Sequence, residues 1–127
     1  MKRLKVTIDR SKWSRGRPSS LANGMGEMCA LGFVCTSLNI PKEHITGIGT
    51  PTTLANYFPQ YKKRLGQNNL LVCRGNAAIT SEAATSVIST NDSNNISEQE
   101  REERLIKLFD KLNIQLKFIN SNVSKES

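Results

Sequence analysis

Residues 97–119, SEQEREERLIKLFDKLNIQLKFI, constrain the fold more than any other stretch, because a helix cap, a helical period and a strand period follow one another there. Ser97 with Glu100 three residues later is a capping box, which marks a helix start before any apolar residue appears. Leu105, Leu108, Phe109 and Leu112 then recur at helical spacing, with Glu98, Glu100, Glu102 and Glu103 at the positive end of the helix dipole and Lys107 and Lys111 towards the negative end. Asn113 is a plausible stop. Beyond it Ile114, Leu116 and Phe118 alternate with Gln115 and Lys117, so the helix feeds a strand.

The stripe of Leu105, Leu108 and Leu112 is prolonged one turn upstream by Arg101 rather than by an apolar residue. A guanidinium in that sector must reach solvent, a carboxylate or an anionic ligand. Arg104, Lys107 and Lys111 form a separate basic row on the flank, either a solvated face held by Glu100 to Arg104 and Glu103 to Lys107 pairs or a row that meets an anion.

Leu4, Val6 and Ile8 alternate with polar residues, the pattern of a strand with one buried face, and the strand after Asn113 is its natural partner. Residues 27–38, EMCALGFVCTSL, are apolar on most sides and read as a buried central helix. The expected fold is therefore α+β: a small antiparallel sheet pairing the N- and C-terminal strands, packed by the central helix and the C-terminal amphipathic helix. A length of 127 residues suits one domain, taken as 1–119, with 120–127 reading as a disordered tail.

The net charge of +7 is uneven, since the first seventeen residues carry seven basic side chains against Asp9 alone. That points to an anionic partner, with nucleic acid, nucleotide and membrane surface all compatible. The chain has neither an apolar run long enough to span a bilayer nor a signal-peptide pattern, so a soluble cytoplasmic protein is expected. Cys29, Cys35 and Cys73 lack metal-ligand spacing and His44 is the lone histidine, which argues against structural zinc and a disulfide framework.

Between these landmarks, Trp13 stands among Arg10, Lys12, Arg15 and Arg17, where it could stack on a base while its neighbours meet phosphate, or anchor the loop to the core. Residues 43–60 carry enough glycine and proline to be mostly loop, with a short helix where Thr50 would cap Pro51. Tyr57, Phe58 and Tyr61 adjoin Lys62, Lys63 and Arg64, either lining a site or plugging the core. Residues 70–74 form a candidate strand, Gly75 and Asn76 a turn, and 80–89 a weakly amphipathic helix. Asn91, Asp92, Asn94 and Asn95 then make a polar turn that could be a plain Asx connection or present amides to a base edge. Catalysis finds few parts. Cys29 or Cys35 with His44 would place a thiolate in an apolar helix, and Glu98, Glu102 and Asp110 would hold a cation only if they converged.

VTIDRSKW followed by RG, MCALGF on a helix, and TND with EREERLIKLF and IQLKFI together resemble small phage-encoded proteins of the first-described Thoeris anti-defence family. Its members act as sponges for the cyclic ADP-ribose isomer made by the host's TIR-domain defence enzyme. The resemblance implies an α+β protein, dimeric or hexameric, that encloses a cyclic nucleotide in the host cytoplasm without cleaving it. With the residue reading above, no enzyme activity, cofactor or metal is expected. Arg101 and then Arg104 would contact phosphate, and Asn91 and Asp92 would read base or ribose. The family's aromatic before the turn is missing from residues 79–90, so either stacking would come from elsewhere, such as Tyr57 or Phe58, or the pocket differs. Some members are reported to hold cyclic oligonucleotides at a more basic second site, for which Arg104, Lys107 and Lys111 are the candidates. The alternatives are a basic nucleic-acid-binding accessory protein and an inhibitor that binds a host protein.

Overall fold

In the computed structural model, which describes residues 3–75 and 77–120, strand β1 (Leu4–Asp9) turns Val6 and Ile8 into the core. Asp9 closes the strand by accepting hydrogen bonds from Asn120 Nδ2 and from the hydroxyl and amide of Ser11. Together these hold its carboxyl down to about 2. A 3-10 turn (Arg10–Lys12) and an irregular, hydrogen-bonded passage lead to helix α1 (Ala30–Ser37), in which Ala30 through Cys35 are all buried. Gly32 is required at its centre, because a Cβ there would lie 1.9 Å from the Leu21 carbonyl oxygen.

Helices α2 (Lys42–Ile45), α3 (Pro51–Tyr57) and α4 (Lys62–Gln67) follow, then a hairpin of β2 (Leu71–Arg74) and β3 (Ala77–Thr80). The hairpin is an antiparallel two-stranded sheet, with Val72 opposite Ile79. Helices α5 (Glu82–Asp92) and α6 (Glu98–Lys111) pack on each other, and α6 turns into β4 (Ile114–Ile119). Thr50, Ser81 and Ser97 each offer a hydroxyl oxygen to the amide three residues on, which caps α3, α5 and α6. Asn39, Asn69 and Asn113, at φ 65°, 64° and 61°, follow α1, α4 and α6. Asparagine tolerates this left-handed geometry, and at Asn113 the stop is the expected one. The buried apolar side chains form one continuous cluster.

Three expectations are corrected. The terminal strands do pair, but in parallel, with Leu4 opposite Ile114 and Ile8 opposite Phe118. Alternation sets which face of a strand is buried but carries no direction. Here α6 brings the chain back across the sheet, so β4 starts beside the start of β1. Residues 43–60 are more helical than expected: α3 is the short helix expected after Thr50, but α2 stands where loop was expected. Ile45, Leu54 and Ala55 are buried, Gly47 and Gly49 fall between the helices, Pro51 opens α3 and Pro59 opens a 3-10 turn (Pro59–Tyr61). The helix expected at 80–89 runs on to Asp92, which draws Asn91 out of the turn. Of the proposed tail, Asn120 binds Asp9, whereas 121–127 lie outside the described residues, as does Asn76 of the proposed turn.

Candidate functional site

The inward stripe of α6 carries Arg101 beneath the end of α5, where helical carbonyls have no amide partner of their own. Its Nη1 donates to the carbonyls of Thr90 (2.8 Å), Asn91 (3.0 Å) and Ser93 (2.7 Å), and its Nε to Glu98 Oε1 (3.2 Å). The guanidinium is thus the C-terminal cap of α5, favoured also by the negative end of that dipole. The residue is only 2% exposed, so the rim position and phosphate contact expected of Arg101 are corrected. Gly16, at φ 79°, covers it. Its amide donates to the Asn91 carbonyl (2.8 Å), and a Cβ there would stand 3.6 Å from Arg101 Nη2.

Asn91 is equally committed. Its Oδ1 accepts from Trp13 Nε1 (2.7 Å) and from the Ala30 amide (3.0 Å) at the start of α1. Its Nδ2 donates to the Ser14 carbonyl and to Asp92 Oδ1, both at 3.0 Å. The side chain expected to read a base edge instead ties the Trp13 loop, α1 and α5 together. Trp13 is buried accordingly, 5.2 Å from the Phe118 ring centroid, with the Arg15 guanidinium 4.4 Å from its own, so the anchoring role holds and stacking on a ligand does not. Asp92 is half-buried. Burial pushes its carboxyl up, against hydrogen bonds from Asn91 and the Ser19 amide and the charge of Arg101.

The basic amino-terminal segment meets the acids of α6. Arg3 pairs with Asp110 (2.6 Å), Arg10 holds Glu102 through two bonds (2.8 and 2.7 Å), and Arg15 binds Glu98 (2.6 Å). Arg17 lies 3.6 Å from Glu27. Burial tends to raise Glu98, but Arg15 and then Arg101 outweigh it and hold the carboxyl below the ordinary range. Glu98, Glu102 and Asp110 are therefore occupied by arginines. Among the described residues no group of three or more His, Cys, Asp or Glu gathers to hold a metal ion.

The outward face of α6 is built differently. Between α5 and α6 runs a groove of two adjoining hollows, of about 270 and 300 Å³. Ser86 and Leu108 line both, Thr90, Arg104 and Lys107 the first, and Glu82, Ala83 and Lys111 the second. Leu108 and Ala83 give an apolar floor, α5 contributes two hydroxyls, and α6 a row of three cations. Arg104 is an exposed partner of Glu100, while Lys107 and Lys111 take part in no ion pair among the described residues. Lys107 also borders hollows of about 450 Å³, beside Glu100 and Glu103, and about 520 Å³, beside Ile106 and Leu116. The hydroxyl wall went unnoticed in the sequence, though Ser86 and Thr90 stand four apart and share a helix face.

Tyr57 and Phe58 lie elsewhere. Tyr57 is 70% exposed at the end of α3, and Phe58 stacks on His44 with ring centroids 4.4 Å apart. Neither lines the groove, so the structure does not bring the proposed stacking residues to the cationic row. His44 Nδ1 lies 2.7 Å from Tyr61 Oη. Burial pushes Cys29 up to about 11 and Cys35 up to about 12, which disfavours either thiolate at neutral pH.

The fold and surface define a small α+β protein in which, among the described residues, every buried side-chain nitrogen and oxygen has a hydrogen-bond partner, with a cation-walled groove between its last two helices. No known family model, curated protein or solved structure matches the chain. Among the described residues, no helix is long and apolar enough to cross a membrane.

Proposed function

We propose that the protein binds and sequesters a cyclic nucleotide signal of the cyclic ADP-ribose type without degrading it, as an anti-defence sponge acting in the host cytoplasm. The observation that carries this reading is the α5–α6 groove. Arg104, Lys107 and Lys111 stand along one wall to meet phosphates, Ser86 and Thr90 face them, and Leu108 and Ala83 offer a surface to a base. This moves the ligand from Arg101, Asn91 and Trp13 to the row held in the sequence reading for a second basic site. In a homo-oligomer that presents α6 to its axis, copies of the row would reinforce one another's field.

The test mixes purified protein with the TIR-enzyme product and quantifies free nucleotide by mass spectrometry. Capture, with intact release on heating, is expected. A Lys107→Glu, Lys111→Glu variant should bind at least tenfold more weakly, since each charge-assisted hydrogen bond contributes about 1.5–3 kcal/mol. Free signal left undiminished by the unaltered protein defeats the reading.

A further inference from the structure

The amino-terminal arginines, the obvious place to look for a nucleic-acid surface, are spent on acids: Arg3, Arg10, Arg15 and Arg17 each pair with a carboxylate. A second block of positive charge without local acids lies in the middle of the chain. From His44 to Ser81 the sequence contains no Asp or Glu, yet it carries Lys62, Lys63, Arg64 and Arg74. Neither Lys62 nor Lys63 has an ion-pair partner among the described residues.

Those lysines open α4 directly after a cluster of rings. Phe58 lies nearly parallel to His44, at 14°, and His44 is tied to Tyr61 by the 2.7 Å contact between Nδ1 and the phenol oxygen. Arg64 lies 5.4 Å from the Tyr61 ring centroid and donates to the Leu38 carbonyl (3.0 Å), which anchors this cluster to the end of α1. Tyr57 immediately precedes Phe58 in the chain, at the last position of α3. The Phe58 amide bonds back to the Leu54 carbonyl at 2.8 Å, so the ring stands on ordered backbone while remaining 70% exposed.

We propose that Tyr57, Lys62 and Lys63 form a surface for single-stranded nucleic acid, separate from the α5–α6 groove. The exposed Tyr57 ring supplies a sequence-tolerant stacking surface, backed by the half-buried Phe58 and buried Tyr61, and the lysines meet successive phosphates. A peptide would need hydrogen-bonding or apolar pockets in register, whereas a polyanion with flat bases needs only an exposed ring at the end of α3 and, five residues on, cations at the start of α4 that have no ion pair among the described residues. The interaction rests on counterion release and one or two stacked bases, so it is weak at physiological salt and strong at low salt.

Fluorescence anisotropy of a labelled oligothymidylate against the full-length protein, at about 50 and 200 mM salt, tests this. Binding should be clear at the lower concentration and fall steeply at the higher. Tyr57→Ala should weaken it roughly tenfold, as expected for losing one stacked base. Lys62→Glu with Lys63→Glu should abolish it, and Lys107→Glu should leave it unchanged; thermal melts of each variant establish that it is folded. Absence of binding at low salt, insensitivity to Tyr57 and the α4 lysines, or loss on changing Lys107 overturns the proposal. So does a dependence on Tyr57 for binding anionic phospholipid vesicles with none for the oligonucleotide.

Discussion

Replacing Arg101 by methionine separates the two roles an arginine at this position could have. The substitution keeps most of the stem that packs beside Leu105 and removes the guanidinium. Asn91's carbonyl retains the Gly16 amide as a donor, but the Thr90 and Ser93 carbonyls lose theirs, and Glu98 loses one of its two arginines. A hydrogen bond to a charged group contributes about 1.5–3 kcal/mol, and carbonyls left unmet at a buried site cost a further desolvation penalty. Discounting for the half-exposed Glu98 and for water reaching the turn, the loss comes to about 3–5 kcal/mol. That is a large share of the ~5–15 kcal/mol by which domains are stable, and corresponds to a melting point roughly 10–20 °C lower. Urea unfolding followed through the fluorescence of the single tryptophan, Trp13, measures it directly. A variant within about 0.5 kcal/mol of the parent refutes the capping role. If that same stable variant also fails to capture nucleotide, Arg101 is a ligand contact after all. Arg101→Lys should recover only part of the loss, because one ammonium cannot span three carbonyls and an acid.

Asn91→Asp should destabilise by about 2 kcal/mol or more, since it turns the donor facing the Ser14 carbonyl and Asp92 into an acceptor; the readout is again the Trp13 urea curve. Because Glu98 is depressed in the folded protein, its contribution is full above the unfolded carboxylate range and is lost as pH falls through its folded value. Stability should drop between neutral and acid pH, and Glu98→Gln should flatten that drop. Asp92 is raised, so its effect has the opposite sign: its ionised form is disfavoured by folding, and Asp92→Asn should gain stability relative to the parent as pH rises from acid to neutral. Of the three thiols, exposed Cys73 should react promptly with a colorimetric disulfide reagent, and buried Cys29 and Cys35 only after denaturation; rapid titration of all three would contradict their burial.

Residue pattern alone determined the local elements with the clearest physical punctuation. Ser97, the spacing of Leu105, Phe109 and Leu112, and Asn113 mark α6 and its end, while alternation marks β1 and β4. Caps and periodicity act within a few residues and so are written in the chain. What only the tertiary structure decided is direction and partnership. Alternating Leu4, Val6 and Ile8 bury the same face beside a parallel or an antiparallel neighbour, and the path of α6 chooses between them. Arg101 in an apolar stripe demands some partner for its charge, but sequence does not say that the open end of α5, rather than a phosphate, supplies it. The amino-terminal cations read as surplus until the fold lays them against the acids of α6, because a Coulomb interaction is a matter of distance in space and not along the chain.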